Sequence, residues 1–164
     1  MEGEAQERLD MPELVWKRYI DLEVSQNETD NARKVWQQLV SKSHHVRVYI
    51  AYSDFEAVTC QSMPKAREAL EAGSRHFKVE SRNEERAMLL EHLLKLEKEH
   101  GDDDSVKAAE KKQPERVKKR KAIQGEDGQE AFEEYMDYNF PEDSSETQNL
   151  KILEMARSVA DSLP

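Results

Sequence analysis

The sequence predicts an all-α fold, an α-solenoid of stacked antiparallel helical hairpins followed by a partly ordered helical C-terminal tail. An aromatic, aromatic, acid pattern occurs twice with a separation of 33 residues, as Trp16, Tyr19 and Glu23 and then as Tyr49, Tyr52 and Glu56. An Ala-Arg pair follows each copy and ends in Arg33 or Arg67. Glycine and proline number only 5 each, which favours helices over sheets.

The spacing within each copy places its three side chains on one side of a helix, because positions i, i+3 and i+7 share a face at 3.6 residues per turn. The Ala-Arg pair opens a second apolar period, which contains Trp36 in the first copy. Each repeat is therefore predicted to be a pair of antiparallel helices. Such pairs bury their apolar faces only by stacking, and stacked arrays usually hold other molecules, so the predicted function is binding.

A third, degraded copy has aliphatic residues at both aromatic positions, as Leu90, Leu93 and Glu97. The predicted helices span about 12–25, 30–42, 45–59, 63–78 and 82–100, with a weaker helix to about 112. The predicted segments are 1–10 (the end of a preceding repeat or a leader), 11–43 and 44–80 (repeats), 81–112 (a degenerate repeat), 113–125 (a basic linker) and 126–164 (an acidic and aromatic tail with short helices). The abrupt start of the array suggests a piece of a longer protein.

The acid of the motif has a predicted structural role. A carboxylate at the inner end of one helix, Glu23 or Glu56, can reach the guanidinium of Arg33 or Arg67 on another, and the planar arginine fork binds a carboxylate with two hydrogen bonds. The alternative, in which the two acids act as a general acid and base, requires a cleft that brings them together. Nothing in the sequence indicates such a cleft.

Composition excludes several classes of protein. Only 37% of the 164 residues are hydrophobic and another 37% are charged, so residues beyond about 100 are expected to contribute little to a core. Cys60 is the single cysteine, which excludes an internal disulfide framework and favours a reducing compartment. No signal segment and no run of 18 apolar residues occurs, so neither secretion nor membrane spanning is predicted.

No enzyme signature is found either. Five histidines lack the spacing of any metal-ligand template, at His44, His45, His76, His92 and His100. The sequence contains no nucleophile elbow and no glycine-rich phosphate loop. We therefore predict no catalytic residue, no metal, no cofactor and no small-molecule substrate.

A basic run lies between the repeats and the tail, with Arg116, Lys118, Lys119, Arg120 and Lys121 at its centre. Three interpretations are open: a solvated basic face, a nuclear import signal, or a segment that contacts RNA phosphates. Pairing with the acidic tail within the chain is a further alternative. The formal net charge of −10 makes the chain a poor nucleic-acid binder on its own.

The acidic tail contains an aromatic cluster, which is Phe132, Tyr135, Tyr138 and Phe140. The spacing of the first three predicts a short helix with one aromatic face that binds a partner or caps the array, and Pro141 is expected to end it. A final helix is predicted from about 146 to 161. Its apolar stripe either caps the open end of the array or recognises a partner.

The first motif copy and its Ala-Arg pair resemble the half-a-TPR (HAT) repeat of RNA-processing factors. Much of the chain resembles the C-terminal end of the crooked neck family of pre-mRNA splicing factors. The residues that carry this resemblance lie at 9–23, at 114–120, at 134–143 and at 149–151. Tyr49, where the family usually has tryptophan, and the aliphatic Leu93 depart from the pattern.

The resemblance implies a nuclear, non-catalytic scaffold of the spliceosome that mediates protein–protein interactions within the nineteen complex. Its implied partners are other HAT-repeat proteins and a Myb-like splicing factor, with at most weak or indirect RNA contact. The alternative is an RNA-contacting module of another HAT-repeat RNA-processing factor, such as one in mRNA 3'-end processing. The motif residues are carried over from the family as architectural positions only.

Overall fold

The computed structural model describes residues 17–18, 20–22, 25–26 and 28–163. The predicted leader 1–10 and the motif residues Trp16, Tyr19 and Glu23 lie outside the described residues. The described part of the chain is mostly helical, as predicted, but it also contains a two-stranded antiparallel sheet. The chain divides into two compact units, Met1–Gly73 and Ser74–Pro164.

The first unit contains the helices of the two clear repeats. Helix α1 spans Thr29–Ser43, α2 spans Val46–Asp54 and continues as a π-helical turn over Phe55–Thr59, and α3 spans Met63–Val79, crossing into the second unit. The predicted boundaries of 30–42, 45–59 and 63–78 are confirmed to within one residue. The π-helical turn was not predicted.

Two of the histidines form the turn between α1 and α2. His44 ends α1 in the left-handed region, with φ of 45°, and its N–H donates to the carbonyl of Val40. The ring of His45 then accepts a hydrogen bond from the N–H of Arg47 and caps the start of α2. Both residues therefore have a local structural role.

The core of the first unit forms around the side chains that the helical periods predict to face inward. Its buried members are Ile20, Ala32, Val35, Tyr52, Phe55 and Ala69. The ring of Trp36 packs against this cluster, stacked on Tyr52 with 6.2 Å between ring centres and tilted against Phe55 at 6.3 Å. The second aromatic position of the motif is thus part of the core.

The second unit contains α4 (Asn83–His100), α5 (Asp103–Lys111), β1 (Glu115–Gln124), β2 (Glu130–Asn139) and α6 (Pro141–Asp161). The predicted helices at 82–100 and up to about 112 are confirmed. The side chain of Asp102 accepts a hydrogen bond from the N–H of Ser105, and Ser105 bonds back, which forms a capping box for α5. The apolar face of α4 is buried and includes Leu89, Leu90, Leu93 and Leu96.

The predictions of a basic linker over 113–125 and of a short aromatic helix around 132–138 are wrong. Both segments are strands of one hairpin, in which Glu115 lies opposite Asn139 and Gln124 lies opposite Glu130. Gly128, with φ of 73°, supplies the left-handed residue that its loop needs. The long-range ladder between the two strands overrides the helical spacing of the aromatics.

The last helix begins earlier than predicted. Helix α6 starts at Pro141, rather than at about 146, and ends at Asp161 as expected. Proline suits the first helical turn because its missing N–H would have no helical partner there. No residue of α6 is buried.

Candidate functional site

The motif acid Glu56 forms a buried ion pair with Arg33 across α1 and the π-helical turn. The distances are 2.6 Å from Nε to Oε1 and 3.1 Å from Nη2 to Oε2, so both carboxylate oxygens are bound. The side chain of Glu56 is 0% exposed, and hydrogen bonding to it raises the pKa of Arg33. Arg33 also contacts Asp30 one helical turn away at 3.2 Å. This pair joins the second helix of one predicted repeat to the first helix of the next.

The groups around this pair are held in their neutral forms. Burial and the charge of Glu56 raise the pKa of Tyr52 to about 12, and its hydroxyl oxygen accepts a long hydrogen bond of 3.5 Å from Gln37. The same two causes raise the pKa of Cys60. The thiol is therefore protonated near neutral pH and is a poor nucleophile.

A groove of about 270 Å³ opens beside the ion pair, between α1, α2 and α3. Its lining includes Arg33, Tyr52, Lys65 and Glu68. The acid that the motif spacing singled out, Glu56, is not part of this lining, and both of its oxygens are bound by Arg33. This arrangement fits a structural role for Glu56 rather than that of a general base.

The remaining described motif positions are placed on the inner faces of their helices. Tyr49, Leu90, Leu93 and Glu97 are all buried. Arg67 is half-buried on α3. These placements fit the architectural role that the spacing predicts.

The basic run forms most of β1 and pairs with acids of β2. Lys119 Nζ lies 2.7 Å from Asp137 Oδ2, and Arg120 lies 3.4 Å from Glu134. The guanidinium of Arg116 lies 5.9 Å from the ring centre of Tyr138. Pairing within the chain, one of the open alternatives, is thus found for part of the run, and it reduces the positive charge available to RNA.

The four aromatics of the tail do not form one cluster. Phe140 is buried and Tyr138 half-buried, with 6.3 Å between their ring centres, whereas Phe132 and Tyr135 are exposed. The inner pair helps to close the base of the hairpin. The outer pair presents apolar surface to solvent.

Sequence reasoning missed the residue that organises this base. The side chain of Arg86 on α4 is 1% exposed, and its guanidinium lies 3.8 Å from the ring centre of Phe140. It donates to both oxygens of Asp143, at 2.8 and 3.0 Å, and to Glu142 at 3.3 Å. These bonds lower the pKa of Asp143. The sequence did contain one signal for it: two acids, Glu142 and Asp143, directly follow Pro141 at the start of a helix, where a nearby cation could bind them.

Two further residues, Lys78 and Asn83, also make contacts between elements of this unit. Lys78 lies 2.6 Å from Glu146 and 3.1 Å from Asp143, which holds the start of α6. Asn83 donates to Asp137 at 3.0 Å. The bond from Lys119, and after it this bond from Asn83, lowers the pKa of Asp137 to about 2. The hairpin and the first turns of α6 are therefore attached to the helices by a polar network.

The apolar stripe of α6 is exposed. Leu150, Leu153, Met155 and Val159 have between 60 and 70% of their surface accessible. Ion pairs hold its first turns, and its apolar side chains are exposed among the described residues. Whether the stripe caps the array or binds a partner stays a prediction.

The described residues contain no cluster of three or more side chains suited to holding a metal ion. Within the same residues, no helix has the length and apolar character required to cross a bilayer.

These features define the class as a mostly helical protein with a repeat pattern, buried inter-helix ion pairs and exposed apolar surface. No family model matches the chain. It is 42% identical over 156 residues to crooked neck-like protein 1 of Mus musculus and 41% identical to that of Homo sapiens, each over 93% of this chain. It is 35% identical to the pre-mRNA-splicing factor CLF1 of Yarrowia lipolytica, again over 93% of the chain. The chain belongs to this crooked neck-like family, and it spans 23%, 18% and 25% of these relatives' lengths, respectively.

Proposed function

We propose that this chain contributes to a non-catalytic scaffold that acts in pre-mRNA splicing through protein–protein interactions. The observation that carries the proposal is its similarity, over more than nine-tenths of its length, to crooked neck-like proteins and to proteins named pre-mRNA-splicing factors. A scaffold role fits the use of these polar motif residues, because Arg33 and Glu56 bind each other and join two helices.

The repeats are proposed to stack as a solenoid. In support, the Arg33–Glu56 pair lies between helices that the sequence pattern assigns to neighbouring repeats. Such arrays present continuous surfaces for partners. The proposed location is the nucleus, and the proposed partners are HAT-repeat and Myb-like proteins of the nineteen complex.

The exposed apolar side chains of the second unit support a binding role. Leu153 and Phe132 are each 64% exposed, on α6 and on the hairpin respectively. Clusters of large apolar side chains left in water commonly mark interaction sites. The net charge of −10 and the pairing of β1 with β2 argue against RNA as the principal ligand.

Affinity purification from nuclear extract tests this function. The tagged chain is incubated with extract, treated with RNase, washed and analysed by mass spectrometry, with Trp36→Asp as a misfolded control. We expect other splicing proteins to remain on the chain after RNase and to be absent from the control. Complete loss of these proteins on RNase treatment would contradict the proposal.

A further inference from the structure

Strand β1 has one edge that no described strand covers. The N–H of Gly125 donates to the carbonyl of Gln129 at 3.0 Å, so these two residues form the first hydrogen-bonded pair beside the loop. Bonded and non-bonded pairs alternate along an antiparallel ladder. Counted from this pair in the observed register, the backbone N–H and C=O groups point away from β2 at Arg116, Lys118, Arg120 and Ala122.

The position of the hairpin leaves this edge accessible. Within the described residues, the sheet contains β1 and β2 alone, and α4 approaches β2, where Asn83 donates to Asp137. A two-stranded sheet is marginally stable in water, and an open edge is a template for a further strand. A partner in extended conformation would both satisfy the free backbone groups and stabilise the hairpin.

Because the edge is positively charged, it favours a negatively charged partner strand. Arg116, Lys118 and Arg120 have outward backbone groups and project their side chains from the same face of the sheet, since they alternate along the strand. A second copy of β1 would place like charges side by side. Lysines on edge strands are known to prevent this kind of pairing between identical edges. A strand with an acid at every second position would place one carboxylate beside each cation.

These cations are free to accept a new carboxylate. Arg120 is 72% exposed, and its existing partner Glu134, at 3.4 Å, is 57% exposed, so that pair contributes little stability. Lys118 is exposed and lies opposite Met136, which offers it no charge. The basic edge is therefore only partly neutralised by β2.

We propose that the open edge of β1 binds an extended acidic segment of a partner protein by strand addition. The proposal rests on the protein-binding role proposed above and specifies the chemistry of one partner: acidic side chains at alternate positions, with β-branched residues between them. Its backbone supplies the hydrogen bonds, and its carboxylates set orientation and register.

The test uses the ¹⁵N-labelled chain and the synthetic peptide Thr-Glu-Val-Glu-Val-Glu-Thr. We expect the amide signals of Arg116, Lys118 and Arg120 to shift and to become protected from hydrogen exchange, while those of Lys119 and Lys121 change less. The peptide is expected to pair antiparallel to β1, which turns the N–H groups of its three glutamates towards β1. N-methylation of these glutamates should therefore abolish binding. N-methylation of the valines, whose N–H groups face solvent, should leave it intact, and this matched pair separates strand addition from attraction by charge alone.

Variants of the chain test the electrostatic part. Lys118→Glu should weaken the peptide at least about threefold, because a cross-strand attraction becomes a repulsion. Lys107→Glu makes the same change at an exposed position of α5 and should have no effect. A peptide with glutamine in place of glutamate should bind more weakly than its parent.

Equal binding by the two N-methylated peptides would overturn the proposal, and so would an unchanged affinity in Lys118→Glu or a lack of peptide binding while single-stranded oligouridylate shifts the same amides. A chain that retains splicing proteins after RNase treatment but does not bind the peptide would overturn strand addition and leave the proposed function standing. A chain that binds the peptide but retains no splicing protein would overturn the proposed function alone.

Discussion

The guanidinium of Arg33 binds both carboxylate oxygens of Glu56, a residue 23 positions further along the chain. Glu56 is 0% exposed, so its buried charge is stabilised by the guanidinium of Arg33 rather than by water. The pair therefore couples α1 to the π-helical turn that continues α2.

Replacing Arg33 should therefore destabilise the folded protein. We expect Arg33→Leu to lower the free energy of unfolding by about 3 kcal/mol, because it leaves a buried carboxylate without its partner. The double variant Arg33→Leu, Glu56→Leu should lose less, since no buried charge remains. Urea denaturation measures both, and equal losses in the single and double variants would contradict the account of the pair.

Trp36 offers a test of the aromatic packing. Its indole Nε1 is buried and has no hydrogen-bond partner, while its ring stacks on Tyr52. We expect Trp36→Ala to cost about 3 kcal/mol. Trp36→Phe should cost clearly less, because an aromatic ring is retained and the unpaired donor is removed. Thermal and urea unfolding compare the variants, and a phenylalanine variant as unstable as the alanine variant would disagree with this packing.

Arg86 is expected to hold the start of α6. Arg86→Lys keeps the charge but loses the two-pronged bond to Asp143 and the planar contact with Phe140, which should cost about 1 to 2 kcal/mol. Hydrogen exchange at the first turns of α6 should accelerate. Arg82→Lys, at a side chain that is 41% exposed, is the control and should change exchange little. Identical exchange in both variants would show that Arg86 does not anchor the helix.

The hairpin should weaken in acid. The folded state lowers the pKa of Asp137 from 3.8 to about 2, chiefly through Lys119 and then Asn83. The carboxylate thus favours folding above about pH 4, and this contribution is lost as the pH falls from 4 towards 2. Asp137→Asn should flatten the pH dependence of unfolding in that range. Asp161→Asn, at an exposed position, should retain the parental slope, and a parental slope in Asp137→Asn would exclude this role.

The helices could be predicted because the spacing of apolar residues within a single segment is enough to indicate a helix. The three-residue and four-residue spacing of Tyr49, Tyr52 and Glu56 describes one helical face, and all three side chains are buried. For the partner of Glu56, the sequence predicted an arginine on another helix but did not distinguish Arg33 from Arg67. Its identity as Arg33 depends on how α1 and α2 align, and the spacing of the motif does not predict the π-helical turn that carries Glu56.

The hairpin was not predicted because it depends on pairing between two segments that are separate in the sequence. Phe132, Tyr135 and Tyr138 fit a helical face, yet Phe132, Met136 and Tyr138 also share one face of a strand. Two glycines in the loop, at Gly125 and Gly128, and the opposite charges of the flanking segments were the signals for a hairpin. Arg86 was missed because its partners lie more than 50 residues away.

We propose that this chain acts through protein contacts in the splicing machinery. Cross-linking mass spectrometry on assembled spliceosomes that contain the tagged protein detects such contacts in place. We expect lysine cross-links from this chain, including Lys118 on the open edge of β1, to other splicing proteins, with acidic segments near the Lys118 links. Cross-links that are confined to the chain itself, or found to RNA alone, would contradict the claim.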